Sequence, residues 1–461
     1  MKKTSIEQIV EVVHGTTTGS TEQRISGVTV DSRTVRPGDL FVALKGEKTD
    51  GHQYIDKAFE KGAAACMVER LPNKRTAGPL IVVENGLKAI QQLARYNREA
   101  LACKVLAVTG SSGKTTTKDL IAGVLSVKHR VVHTTGNQNN ELGLPLTLLR
   151  GDEETDVFVV EMGMRGLGQI KELADIARPD LAVITNIGTA HLELLHSREN
   201  IFKAKTEIFS YFTKDQVGIV NGDDDYLKNI RATNFPVYKV GIKEEGLDLR
   251  CIAHQNTVNG LRMEIEHAGE IQKYRFLLPG VHNVYNSLSA IMAGLVFDLT
   301  PEQIQQGMNR YQGSENRMEI QERASFTVIN DAYNANVQSM ESAIDVLKNF
   351  HNKKQTKIAV LGDMLELGDE QIKYHQEIGK KIARSGIDFL IAYGELASHY
   401  IEGAKQNGFA AQKCHHAENK KEIAAFIQNN FEEATILLKG SRAMALEEIL
   451  QWMSKKGSEK Q

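Results

Sequence analysis

The strongest constraint in this sequence is Lys104-Val105-Leu106-Ala107-Val108, which leads through Thr109 into Gly110-Ser111-Ser112-Gly113-Lys114-Thr115-Thr116 and then into Leu120, Ile121, Val124 and Leu125 at helical spacing. A short apolar run of this kind reads as a buried strand, and the spaced residues after it as one face of a helix. The glycine loop between them therefore sits at a helix N-terminus, where free backbone N–H groups and the helix dipole favour phosphate. Glycines let the backbone close around phosphate oxygens, Lys114 brings a positive charge toward the β and γ phosphates, and the Thr115 hydroxyl can ligate Mg²⁺. The general phosphate-loop spacing asks for glycine where Val108 stands, and Gly110 comes two residues later, so the generic pattern is met only in part.

The same grammar of apolar run, polar punctuation and helical segment recurs along the chain, as parallel strands with helical crossovers require. One series has runs at residues 105–108, 157–160, 181–184 and 217–220, and a second at 326–329, 358–361, 389–392 and 436–438. Their punctuation falls at the carboxyl ends of the strands, where open α/β sheets bind ligands. Between the series lies the polar stretch Tyr311-Gln312-Gly313-Ser314-Glu315-Asn316, read as a linker. With 461 residues and roughly 150 per domain, three domains are expected, at 1–98, 99–313 and 314–461. The first holds Asp31-Ser32-Arg33 and the run at 40–44, and its topology is not deducible from the pattern.

Composition excludes several classes. The 56 basic and 58 acidic side chains leave a formal charge of −2, so no general field exists to hold nucleic acid or anionic lipid. The cysteines Cys66, Cys103, Cys251 and Cys414 are far apart and form no CxxC pair, which suggests neither a disulfide framework nor a zinc site. Glu7 and Gln8 interrupt any signal-like apolar stretch, and no run approaches the roughly 20 apolar residues of a membrane span. A cytoplasmic chain without membrane insertion is expected.

Five residues outside the loop are candidates for chemistry. Glu161 ends the 157–160 run on the loop's side of the sheet, placed either for magnesium or as a solvated strand-end acid. His191 follows the 181–184 run through Thr185-Asn186-Ile187-Gly188, as a metal ligand or a structural histidine. Lys203 and Lys205 fall on the polar side of a short helix, which spacing alone reads as a solvated face. Asn283, in Leu278-Pro279-Gly280-Val281-His282-Asn283-Val284-Tyr285-Asn286, has the place of either a ligand or a helix cap.

Taken together, the loop 109–117, the segment 137–145, Glu161-Met162-Gly163, Thr185 to His191 and Leu278 to Asn283 resemble the Mur ligases of peptidoglycan synthesis, over nearly the whole chain. The irregular phosphate loop is that family's own version. Asp31-Ser32-Arg33, Asn330-Asp331-Ala332-Tyr333-Asn334-Ala335-Asn336, Leu361-Gly362-Asp363-Met364-Leu365-Glu366-Leu367-Gly368 and Leu438-Lys439-Gly440-Ser441-Arg442 look like the members that join D-alanyl-D-alanine to UDP-N-acetylmuramoyl-tripeptide. The Asn-Ala-Asn segment is what sets these apart from relatives that add a single amino acid.

The resemblance implies an α/β fold of three domains: an N-terminal domain for the UDP end of the substrate, a central phosphate-loop ATPase domain with a mostly parallel sheet, and a C-terminal Rossmann-like domain. It implies ATP and two magnesium ions, one held by Thr115 and Glu161, the other by His191 and a carbamylated Lys205. It places Gly110, Ser111, Ser112, Gly113, Lys114, Thr115, Thr116, Asn283, Asn286, Arg317 and Asp331 at the nucleotide, with Lys114, His191, Lys205 and Arg317 in catalysis. Asp31, Ser32, Arg33, Asn139, Asn140, Asn334 and Asn336 would meet the other substrates, and the chain would act as a monomer. Val337 stands where proline is expected and His196 where glycine is expected, both in loops beside the site.

Overall fold

In a computed structural model, residues 1–47, 49–231, 234–257, 260–323, 325–350 and 356–453 are described. The expected C-terminal span to residue 461 therefore ends, at 454–461, outside the described residues. Three α/β units follow one another along the chain, built on sheets of five, nine and six strands.

The eight anticipated apolar runs all form strands: Lys104–Thr109, Val157–Glu161, Leu181–Ile184 and Val217–Asn221 in the nine-stranded sheet, and Phe326–Asn330, Thr356–Gly362, Phe389–Tyr393 and Ala434–Lys439 in the six-stranded one. In the larger sheet Lys104–Thr109 lies between Leu181–Ile184 and Val157–Glu161, parallel to both. The chain continues to one side of Lys104–Thr109 and later returns to the other, which opens a crevice at the carboxyl ends of these strands. The phosphate loop leaves the sheet at that crevice.

An antiparallel meander, Leu249–Thr257, Gly260–His267 and Glu270–Phe276, extends the far edge of this sheet. It was not anticipated because it carries no continuous apolar run. Instead Leu261, Met263 and Ile265 alternate with Arg262, Glu264 and Glu266, the period of a strand with one wet face. The N-terminal unit, whose topology the pattern left open, orders its strands Thr16–Thr17, Leu80–Val82, Ala65–Val68, Asp39–Val42 and Gly27–Thr29, all parallel except for the antiparallel edge pair of the first two.

Alternation along each strand distributes its side chains between two apolar clusters. On Lys104–Thr109, Leu106 and Val108 join a cluster that continues through the helices Lys114–Leu125 and Val281–Val296 to Ile329, Leu361 and Leu437 of the third unit. Val105 and Ala107 join a second cluster that continues to Leu40, Val42, Met67 and Ile81 of the first unit. The outer faces of the first and third sheets close over clusters of their own, around Phe41 and Cys66 and around Ile358 and Ile436 respectively. The middle sheet thus shares each of its cores with a neighbour. No helix among the described residues is long and apolar enough to cross a membrane.

Candidate active site

The phosphate loop is shaped by two glycines and braced from the next strand. Gly113 has φ 77° as it enters the helix Lys114–Leu125, and Gly110 has φ 151°, where an added Cβ would collide with Thr185 Oγ1. Thr185 and Asn186, just beyond Leu181–Ile184, hold the loop from the side. Thr185 Oγ1 donates to Ser112 O at 2.6 Å, Ser112 N donates to Asn186 Oδ1 at 3.0 Å, and Asn186 Nδ2 donates back to Ser112 O at 3.1 Å. Gly188 N donates to Ser111 Oγ at 2.8 Å. Lys114, first residue of its helix, donates to Gly110 O at 2.9 Å.

Glu161 is not a solvated strand end. It is 2% exposed, accepts from Thr115 Oγ1 at 2.8 Å on one oxygen and from Asn139 Nδ2 at 2.7 Å on the other, and its own N–H donates to Thr134 Oγ1 at 3.0 Å. A hydroxyl in the first turn of a helix and a carboxyl group at the end of the neighbouring strand are hard oxygen donors, the set that suits magnesium when phosphate oxygens and water complete the shell. Among the described residues no cluster of three or more His, Cys, Asp or Glu side chains forms an all-protein metal cage. The Thr115–Glu161 pair, beside the phosphate loop, fits a cation shared with a phosphate ligand.

The solvated-face reading of Lys205 is overturned: the side chain is 2% exposed, because the helix Arg198–Thr206 turns that face inward against the cavity. Burial, with the Lys114 ammonium adding to it, holds the Lys205 amine well below the usual lysine range. Lys114 is lowered too, mainly by burial, with Glu161 opposing and Arg317 contributing. Lys203 does lie on the wet side, 2.8 Å from Glu199. Asn283 does not cap its helix. Gly280 holds the cap position, and Asn283 Nδ2 donates to Pro279 O at 2.8 Å while Oδ1 accepts from Asn286 Nδ2 at 2.9 Å.

The third unit closes over this crevice. Arg317 stacks on Tyr333, 3.9 Å from the ring centroid, and Asp331 is paired with Lys439. Asn336 caps the helix Val337–Asn349 and donates from Nδ2 to Ser111 O at 3.4 Å. Gln338 Oε1 accepts from Thr189 N and Oγ1, both at 3.2 Å. His191 Nδ1 stands 2.7 Å from Glu366 Oε2. The imidazole beside it holds the Glu366 carboxyl below its ordinary range, through the His191 side chain as a hydrogen-bonding partner first and against the opposing effect of burial. Both residues have left-handed backbone, φ 64° at each, a conformation that non-glycine residues keep only where the surroundings impose it.

One cavity of about 990 Å³ gathers Ser111 to Thr116, Asn139, Asn140, Glu161, His191, Lys205, Asn283, Asn286, Arg317, Asp331, Asn334 and Asn336. Gly110 backs the loop behind it. Asp31, Ser32 and Arg33 do not reach this cavity. They lie on the first unit, where Arg33 binds Asp31 at 2.8 Å and holds its carboxyl down at about 2. Asn140 and Asn334 are engaged locally, Asn140 Oδ1 accepting from Gly143 N and Asn334 Oδ1 from Ala335 N, each at 2.9 Å. Glu366, Gln338 and Lys439 had been given no role from the sequence. Glu366 and Lys439 lay inside segments already singled out, whereas Gln338 carries no signal beyond its place as the second residue of a helix.

Comparison with known proteins agrees with this construction. Residues 24–108 match the Mur ligase family catalytic domain, 108–294 the Mur ligase middle domain and 316–442 the Mur ligase glutamate ligase domain. The chain is 39% identical over 456 residues to the UDP-N-acetylmuramoyl-tripeptide--D-alanyl-D-alanine ligase of Bacillus subtilis, covering 98% of each. It is 32% identical to the Escherichia coli protein of the same name, covering 99% of this chain and 100% of the other. The structure of MurF from Acinetobacter baumannii superposes with a TM-score of 0.89 at 31% identity, covering 99% of this chain and 100% of that one. MurF from Thermotoga maritima in complex with ADP superposes at 0.81 and 28%, covering 93% and 97%. The chain belongs to the Mur ligase family.

Proposed function

We propose that this chain is an ATP-dependent ligase that joins D-alanyl-D-alanine to UDP-N-acetylmuramoyl-tripeptide, giving UDP-N-acetylmuramoyl-pentapeptide, ADP and phosphate in cytoplasmic peptidoglycan precursor synthesis, and so serving cell shape and division. The observation that carries the reading is the single cavity in which the phosphate loop and the Thr115–Glu161 pair of the middle unit face Arg317 and Asp331 of the third. Relatives bearing that activity's name, similar over the full length, support it. The division at 1–98, 99–313 and 314–461 belongs to the same proposal, with Asp31, Ser32 and Arg33 on the uridine side, and so does action as a monomer.

A carboxylate in water does not condense with an amine unless it is activated. The tripeptide carboxylate oxygen attacks the γ-phosphorus of ATP, the bond to the bridging oxygen breaks, and ADP leaves an acyl phosphate behind. The dipeptide amine then attacks the acyl carbon, loses a proton, and the C–O bond to phosphate breaks. Both reactants of the first step are anionic, so the chain must neutralise their repulsion, a role assigned to Lys114 and Arg317, which line the same cavity. Thr115 and Glu161, and His191 with a carbamylated Lys205, are the residues that would hold magnesium, which would supply further positive charge to the phosphates. Asn283 and Asn286, bonded to each other in the cavity wall, are assigned to the adenine side, and Asn334 and Asn336 line the third-unit wall. The contact of Gln338 with Thr189 joins the third unit to the middle one at the cavity, where domain closure would serve to keep water from the acyl phosphate.

Purified protein given ATP, Mg²⁺ and both substrates should release phosphate only when all are present, and D-alanyl-D-alanine should outrun free amino acids as acceptor. Lys114→Ala should lower turnover on the order of 1,000-fold with the fold intact. Equal phosphate release without the dipeptide would sink the reading.

A further inference from the structure

Two neighbouring side chains in the phosphate-loop helix, Lys118 and the half-buried Asp119, have no part in the steps above. Lys118 is 2% exposed, and a buried ammonium persists only when paired and hydrogen-bonded. It is paired with Asp119, and Nζ donates to Thr134 O at 2.6 Å. The Thr134 hydroxyl in turn accepts the backbone N–H of Glu161 at 3.0 Å. On the other side, Asp119 Oδ2 accepts from Ser314 Oγ at 2.7 Å, and Ser314 O accepts from Arg317 N at 3.2 Å, closing the short turn that delivers Arg317 to the cavity. His133 Nδ1 stands 4.0 Å from the same aspartate, outside this chain of contacts.

We propose that the Lys118–Asp119 pair is a positioning device that sets Glu161, through Thr134, and Arg317, through Ser314, as one unit. The linker's position over the helix is thereby felt at the carboxylate that holds the metal. Removing either end should then change what the other end contributes, although Ser314 and Thr134 share no direct contact in the described structure. The inference rests on the reading of Thr115 and Glu161 as magnesium donors within an ATP site.

The test measures, on the full chain, ADP affinity by calorimetry with and without Mg²⁺, and kcat and KM for ATP. Lys118→Met and Thr134→Val should each raise the Mg²⁺ needed for half-maximal ADP affinity by about 10-fold, leaving Mg²⁺-free ADP affinity unchanged. Ser314→Ala should lower kcat about 5-fold with KM for ATP within about 2-fold. In a double-mutant cycle, Ser314→Ala and Thr134→Val should be non-additive, whereas unlinked distant sites add. Strict additivity, or an unchanged Mg²⁺ requirement in Lys118→Met, overturns the proposal. If Lys118→Met does not fold, Asp119→Asn and the cycle decide on the same readouts. A wild-type protein that binds Mg²⁺ and ADP but makes no peptide bond refutes the ligase reading while leaving the binding arm of this test valid.

Discussion

Lys205 shows how far one side chain's meaning depends on what surrounds it. Its spacing in Arg198–Thr206 reads as solvated, while its 2% exposure and depressed basicity describe a free amine facing a cavity. A neutral lysine amine adds CO₂ to give a carbamate and a proton, changing a would-be cation into an anionic oxygen donor. Carbon-13 NMR of protein equilibrated with labelled bicarbonate should show a carbamate resonance that is absent from Lys205→Ala. That variant should lose about 100-fold in turnover and regain part of it with added short carboxylates. Full activity without rescue would remove Lys205 from the metal site. Burial of this kind is not readable from a nine-residue helix, because the inward face is chosen by contacts far along the chain. Glu161 was readable as a candidate, since strand-end position fixes where it points, but its bond to Asn139 was not.

At the scale of elements, the parallel strands were legible because burial on both faces leaves continuous apolar runs. The antiparallel meander was visible only as alternation. The loop 362–367 illustrates what neither pattern shows. It carries Glu366 toward His191, and it is tied down by Leu365 N donating to Ser441 Oγ at 2.9 Å and Met364 N donating to His375 Nε2 at 3.1 Å. His375 is fully buried and its Nδ1 faces Gln371 O at 2.7 Å, so the ring is neutral with Nδ1 protonated. Burial lowers it from 6.5 to about 4. Between these values the unfolded chain binds the extra proton, so the stability this histidine contributes is complete above about pH 6.5 and is lost as pH falls toward 4. Urea unfolding should show a loss of about 2 kcal/mol from this group between pH 7 and 5. His375→Gln, which keeps an acceptor for Met364 N, should flatten the slope by that amount. An identical slope in both proteins would contradict the assignment.

Across the whole molecule, the first unit is tied to the middle one by Arg95 with Asp175 and Arg98 with Asp180, while the polar contacts between the middle and third units include Asn336 with Ser111, Gln338 with Thr189, Glu366 with His191 and Ser314 with Asp119. Gln338→Ala combined with Glu366→Ala should therefore favour a more open molecule, seen as a larger radius of gyration in X-ray scattering, with kcat lowered about 10-fold and ADP affinity nearly unchanged. Unchanged scattering and turnover would mean that the seam is fixed by packing alone.

The apolar layers bear on a different matter, the dissection of the gene. Because Leu106 and Val108 lie in a core continuous with the third sheet, and Val105 and Ala107 in one continuous with the first, no cut between units leaves a finished surface. A product ending after the second sheet would present a broad greasy face to water. Such a fragment is expected to aggregate or be degraded, so a stop codon between the second and third sheets should cost the whole protein and not only its last unit.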